Sequence, residues 1–411
     1  MKKLFIILTF LLASTITFAN KILVGKNQVI SSLKTAISLA VSGDTILLHK
    51  GVYKEGNMVV NKRLSIIGID MPVLDGENKY EILTISGSDI LVKGIHFRNS
   101  GFSSMNDYAS INIIDAARVT VTNNRIDNAH FAIHIGNARH CRIYENNIYG
   151  NAISEQTSGN GIHFWKCDSM YVNDNFITKH RDGIYFEFVT NSIISNNTSQ
   201  GNIRYGLHFM FSNHDTYINN IFKDNGAGVA VMFSHHVLMM RNIFDHNWGP
   251  NAYGLLLKEI SDATIARNTF VENTVGILME GTNRINAWMN NFTSNGWAMR
   301  IQASCDQNKI ELNNFQGNTF DVATNGTHNS NSFSANYWDK YEGYDMNRDK
   351  IGDIPYHPVS MYSMVIEQNP HSLILLRSFM VSLLDKAEKA IPSLTPEFLK
   401  DDMPSMKALK I

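Results

Sequence analysis

The stretch NNIFKDNGAGVAV, Asn219 to Val231, decides the fold. It reads Asn-Asn, apolar residues, a polar corner, then Gly, apolar, any residue, apolar. The phrase returns as Asn146-Asn147-Ile148 with Gly161-Ile162-His163-Phe164, as Asn196-Asn197 with Gly206-Leu207-His208-Phe209, and as Asn268-Thr269-Phe270 with Gly276-Ile277-Leu278-Met279. Counted on the second asparagine, copies fall at 124, 147, 175, 197, 220, 242, 268, 291 and 314, in steps of 23, 28, 22, 23, 22, 26, 23 and 23. A fixed period of this size is the mark of a solenoid. A leucine-rich repeat shares the period but needs a leucine-dominated consensus. Here the apolar residues are mixed and alternate with polar ones, as in strands with one face on a core. Short strands between Asn and Gly corners predict an all-β chain, a right-handed parallel β-helix whose coils of 22–23 residues stack at about 4.8 Å. The asparagines are read as structural, their amides hydrogen-bonding from coil to coil along a corner. Gly183, Gly206, Gly228, Gly254 and Gly276 are read as permitting a tight bend before each strand. The long steps mark loop insertions at Ala152–Asn160 and Trp248–Tyr253.

Working outward, weaker coils run through Leu64–Ile69, Ile82–Ile85, Ile90–Phe97 and Ile111–Ile114. A solenoid needs lids over its end strands. Gln28 to Val41 has Val29, Ile30, Leu33, Ile37 and Val41 near helical spacing, predicting an N-terminal capping helix. Before it, Met1-Lys2-Lys3, an apolar run to Leu12 and Thr17-Phe18-Ala19 read as a signal peptide, residues 1–19. Its removal takes the formal charge from −1 to −3 and places the mature chain outside the cytoplasm. The β-helix is expected to span 20–335. A polar, aromatic loop follows at 336–358. A C-terminal extension at 359–411 should carry a helix over Ser372–Ile391, with Leu373, Leu376, Met380, Leu383 and Ala387 on one face. Pro392, Pro396 and Pro404 make the last twenty residues an extended tail.

The 411 residues hold 36 Lys plus Arg against 37 Asp plus Glu, which argues against a nucleic-acid partner, since such a footprint needs basic excess. Cys141, Cys167 and Cys305 are too few and too far apart for a disulfide scaffold or a zinc C-x-x-C pair.

In each Gly-apolar-x-apolar strand the x side chain points outward. Read down the coils, x is His134, His163, Tyr185, His208, Ala230, Leu256 and Leu278. Two residues on lie Trp165, Glu187, Met210, Met232, Lys258 and Glu280. His208, Met210 and Met232 therefore share one wall on adjacent coils. The following corners add His214, His235 and His236, and then Met239, Met240 and His246. Thioether and imidazole suit Cu(I). The same side chains also suit an adaptable docking face. Met361 with Met364, near His357 and His371, and Met403 with Met406 are further soft-donor pairs, placed in an extended segment.

Asp345, Asn347, Asp349 and Asp353 stand at positions 1, 3, 5 and 9 of a calcium-type loop. Position 6 is Lys350 rather than Gly and position 12 is Tyr356 rather than Glu, so a turn held by Asx hydrogen bonds is the competing reading. Parallel β-helices also host carbohydrate-active enzymes, lyases and epimerases, which need clustered carboxylates or a cationic base. His180-Arg181-Asp182 is the nearest approach, and it reads as a solvated corner.

The segments Tyr205–Phe244, Asn336–Tyr356 and Ser382–Phe398, with the entry GDTILLHKGVYKE at Gly43–Glu55, resemble the NosD family of periplasmic accessory proteins for nitrous oxide reductase maturation. The resemblance covers nearly the whole mature chain. It implies a non-enzymatic, extracytoplasmic part of an ABC-type complex, peripheral to the membrane through its permease. The implied partners are that permease, its ATPase, a copper-chaperone lipoprotein and nitrous oxide reductase. It also implies that some of the Met and His groups handle copper, and that the C-terminal region meets the permease.

Overall fold

The computed structural model describes residues 20–102, 107–326, 330–391 and 399–411. The signal-peptide reading and the prolines at 392 and 396 lie outside them. Three parallel sheets of 14, 12 and 13 strands wind together into a β-solenoid. It has about 14 turns of roughly 23 residues. Every strand pairs with the strand one turn away, as in Tyr205–Met210 against Ala227–Met232. Inward residues are fully buried, and Phe244, Phe270, Phe292 and Phe315 stack at 4.5, 4.8 and 4.9 Å between ring centres. The weaker coils inferred before residue 120 are present, and both insertions leave the sheets as loops.

The asparagine ladder exists, in a register that the second-asparagine count missed in three coils. The buried members are Asn124, Asn146, Asn175, Asn197, Asn220, Asn242, Asn268, Asn290, Asn313 and Asn336. Asn146, Asn290 and Asn313 are thus the first of their pairs. Each amide donates to the next carbonyl oxygen, for instance Asn197 Nδ2 to Asn220 Oδ1 and Asn220 Nδ2 to Asn242 Oδ1, both 3.0 Å. The run ends on Asp401, whose Oδ2 accepts from Asn336 Nδ2 at 3.0 Å. A second ladder, Asn202, Asn225, Asn247, Asn273, Asn295 and Asn318, runs along the next corner. The glycines serve close approach rather than a bend: a Cβ on Gly206 would lie 2.7 Å from the Gly228 carbonyl oxygen of the next coil.

At the N-terminal end the capping helix is shorter than Gln28–Val41. Helix α1 spans Leu33–Leu39, because Ser32 caps it, its Oγ accepting from Thr35 N at 3.1 Å. Val29 and Val41 are left exposed. At the other end, the single helix expected over Ser372–Ile391 is broken. Helix α2 covers Met361–Gln368, a 3-10 turn covers Pro370–Leu375, and α3 covers Phe379–Ala390, started by the cap Ser378. The buried contacts are Val381 with Phe320, Tyr362 and Ile366. Leu373, Met380 and Leu383, placed on the buried face by spacing, are exposed. No helix among the described residues is long and apolar enough to cross a membrane. The described end of the tail is not free: Leu409 N donates to Asn314 Oδ1 at 2.8 Å, and Asp401 bridges to Phe333 and Tyr356.

All three cysteines are buried and unpaired. Burial pushes the Cys167 thiol up from 9.0 to about 12 and also raises Cys141. Between those pH values the unfolded thiol ionises while the native one keeps its proton, so stability falls as pH rises through that window. Iodoacetamide at pH 8 should therefore label none of the three in the native chain and all three in urea, read by mass spectrometry. Native labelling as fast as in urea would contradict the burial.

Candidate metal-binding wall and corner

The 12-stranded sheet turns its outward face into the predicted wall. Register pairs His134 with His163, His163 with Tyr185, Tyr185 with His208, and His208 with Ala230. The four rings stand at 5.0, 4.7 and 4.9 Å, edge to face. Met210 pairs with Met232, so the two thioethers are neighbours one turn apart. Glu187 flanks them on one side and Lys258 on the other.

The wall points outward but is largely covered. Tyr205 leans on His208 at 4.8 Å and Tyr253 stacks on Tyr205. His208 is 6% exposed. Both of its ring nitrogens are buried without a hydrogen-bond partner. Burial pushes His163 down to about 3 and also lowers His134, so these imidazoles are neutral at pH 7. The Tyr185 hydroxyl, raised to about 12 chiefly by burial, donates toward Met210 Sδ at 3.7 Å.

Beneath His208 sits a pair that sequence reasoning set aside. Asp182 is fully buried and takes Arg204 in a two-pronged ion pair, with Arg204 Nε to Oδ1 at 2.8 Å. Burial alone would raise this carboxyl, yet Arg204 holds it below its ordinary value. His208 Nδ1 is 3.8 Å from Asp182 Oδ2. The segment His180-Arg181-Asp182 is therefore no solvated corner: His180 is 1% exposed and Asp182 0%. Both side chains occupy coil positions whose burial the sequence does not mark.

Past the wall, Phe188, Phe211 and Phe233 form an exposed stack at 5.2 and 5.1 Å, at corner positions with φ of 54°, 52° and 53°. Large apolar residues are uncommon in that left-handed conformation. The signal was readable as Met-Phe-Ser repeated at 210–212 and 232–234. Next along the same corner come His214, His235 and His236. Among the described residues, theirs is the cluster of three His, Cys, Asp or Glu ligand atoms within 4.8 Å of one another.

The remaining predicted positions are not brought to the wall. Met239 is in the core. Met361 and Met364 lie on helix α2 instead of an extended segment, with Met364 packed against the core. The loop of Asp345, Asn347, Asp349 and Asp353 is the Asx arrangement rather than a calcium cage. Asp345 accepts from Asp349 N and Lys350 N, Asn347 Oδ1 from Asp349 N, Asp349 Oδ1 from Ile351 N, and Asp353 from Met346 N. The oxygens expected to face a cation face the loop's own amides.

Fold and wall together define a parallel β-solenoid with soft donors collected on one sheet. The family described as "Periplasmic copper-binding protein (NosD)" matches residues 145–343. A "Probable ABC transporter binding protein NosD" of Stutzerimonas stutzeri is 28% identical over 409 residues, 88% of this chain and 86% of that one. The protein of that name from Pseudomonas aeruginosa is 28% identical over 374 residues, 86% of each chain. The chain is thus similar to NosD-type proteins along most of its length. Among solved structures, the surface adhesin PfbA of Streptococcus pneumoniae shares the fold, with a TM-score of 0.51 at 11% identity over 74% of this chain and 87% of that one.

Proposed function

We propose that the chain is a periplasmic, non-catalytic copper-binding protein that works beside an ABC transporter and supports copper delivery to nitrous oxide reductase. The names of the family and of both relatives support the copper and transporter parts of this reading. The observation that carries it is His208, whose two ring nitrogens are buried without a hydrogen bond, Nδ1 having only a long contact of 3.8 Å to Asp182 Oδ2, on the strand that ends in Met210, beside Met232. A buried imidazole nitrogen without a hydrogen bond calls for a partner, and a Cu(I) ion held by imidazole and thioether supplies one. The side chains fit such cargo. His208, Met210 and Met232 would hold it, and neutral His163, two coils away, would offer a further donor. The enclosing Tyr205 and Tyr253 would limit water.

The other assignments follow from this role. A chaperone lipoprotein loads the wall from the exposed Phe188, Phe211 and Phe233 side. The ABC permease, with its ATPase, receives the C-terminal extension, where Ile374, Phe379 and Met380 are 89%, 79% and 66% exposed. Against a lyase or epimerase, the arginine beneath the wall, Arg204, is already paired with Asp182.

Competitive titration of the anaerobic full-length mature chain with bicinchoninate tests the reading. Cu(I) affinity should fall about tenfold or more in Met210→Leu/Met232→Leu and again on adding His208→Ala. Unchanged affinity, with the far-ultraviolet spectrum intact, would overturn it. Release of unsaturated products from uronate polymers would favour the enzyme instead.

A further inference from the structure

The corner beyond the wall holds a second, chemically different set of donors. His214, His235 and His236 are all exposed, and their rings lie 4.8, 5.0 and 5.4 Å apart. The solenoid builds the cluster. His214 and His236 occupy the same left-handed corner position on adjacent coils, with φ of 59° and 56°. His235 is fixed by its N–H on Asn213 Oδ1 at 2.8 Å, and His214 N donates to His235 O at 3.3 Å.

Elsewhere along this corner, neighbouring coils offer complementary groups. Arg118 meets Asp89 and Arg284 meets Asp262, each at 2.7 Å. Asn191 and Thr190 meet Asp168 at 2.7 and 2.8 Å. The three imidazoles break that rule. Their one side-chain hydrogen bond among the described residues is His236 Nδ1 to the Asp262 carbonyl oxygen, at 3.4 Å. Three like donors that face one another without a complement are what a shared cation would reconcile.

We propose that His214, His235 and His236 form a surface site for a divalent late first-row ion, Cu(II) in preference to Zn(II), separate from the Cu(I) wall. Imidazole nitrogen suits both ions, and three such ligands leave an open fourth position. With metal–nitrogen bonds of about 2.0–2.1 Å, tetrahedral ligand atoms sit about 3.3 Å apart. The rings must therefore close by about 1.5 Å, a side-chain rotation that exposed residues can make. No thioether belongs to the cluster, so the preference is for the divalent state. The Asp262 carboxylate, one coil beyond His236, is committed to Arg284 and adds favourable field without ligating.

The test uses the full mature chain with Cu(II) or Zn(II) as the sole added metal, by competition titration and Cu(II) electron paramagnetic resonance. Asn is the neutral replacement, since Asn191 and Asn213 already hold the two kinds of corner position on neighbouring coils. One ion per chain should bind, Cu(II) more tightly than Zn(II), with nitrogen hyperfine structure in the spectrum. Each of His214→Asn, His235→Asn and His236→Asn should weaken it about tenfold or more, and the triple variant should abolish it. Cu(I) titration of that triple variant should match the parent, which separates failure here from failure of the wall. Divalent binding as tight in the triple variant as in the parent, or none in the parent, overturns the proposal.

Discussion

Replacing Asn220 by alanine is expected to destabilise the chain by about 3–5 kcal/mol, the sum of several buried groups left without partners. Asn220 is fully buried. Its Oδ1 accepts from Asn197 N at 2.9 Å and from Asn197 Nδ2 at 3.0 Å. Its Nδ2 donates to Ile194 O, Ile218 O and Asn242 Oδ1 at 3.0, 3.2 and 3.0 Å. Truncation strips all five bonds at once, and the hole is sealed between coils, so water does not reach it easily. Because each coil touches only its neighbours, the damage is local in space yet divides the stack in two. Urea unfolding should show a lower midpoint and a broader or split transition. The control is Asn219→Arg, one residue earlier and exposed, where Arg241 and Arg267 hold the same left-handed corner on the next coils. That change should stay within about 0.5 kcal/mol. Equal effects at 219 and 220 would show that the ladder does not hold the coils together.

The same ladder marks how far the sequence could be read. Period, strand alternation and the outward column from His134 to Leu278 were all legible, because a solenoid converts sequence spacing directly into spatial neighbourhood. Which asparagine of a pair turns inward was not legible. In Asn146-Asn147 the first is buried and in Asn219-Asn220 the second; in both, the buried one is the residue just before the next strand, Asn147–Tyr149 or Ile221–Lys223, and its neighbour stands after it in one pair and before it in the other. The second ladder was legible in principle, as an Asn five residues after each first-ladder Asn from 197 to 313. Asp401 was not: it comes from a distant tail and ends the column because a carboxylate only accepts. Asparagine both donates and accepts, so it can continue a column that aspartate can only close. At the site, spacing brought His208, Met210 and Met232 together correctly. It was blind to Tyr205, at the start of the His208 strand, and Tyr253, in the insertion, whose rings cover the wall, and to the burial of Asp182. At the C-terminus, helical spacing ran through Ser378, whose capping hydroxyl restarts the helix and turns a different face inward.

The Asp182–Arg204 pair yields the second large effect, and its signature is asymmetry. Arg204→Met leaves a carboxylate with no exposure, facing Tyr205 N at 3.3 Å and the longer contacts of His208 Nδ1 at 3.8 Å and Arg181 Nε at 4.0 Å. Breaking a buried pair from the cation side costs about 3–5 kcal/mol. Asp182→Asn leaves a guanidinium whose side chain is 28% exposed and can turn to water, so it should cost about 1–2 kcal/mol. The double variant should resemble Asp182→Asn alone, because it leaves no buried charge. The pH dependence has a fixed sign. In the parent, Arg204 holds the Asp182 carboxyl below its ordinary 3.8, so the pair's contribution is complete above that value and is lost as pH falls through the lowered one. In Arg204→Met, burial is opposed only by the weaker contacts, that with His208 among them, so the carboxyl rises. The deficit against the parent is then largest near neutrality and shrinks toward pH 4, where the orphaned acid takes up its proton. Thermal unfolding of the four chains at pH 7 and pH 4 checks both statements. A double variant as unstable as Arg204→Met, or a deficit that grows on acidification, would mean that the buried charge is not what the arginine is there to meet.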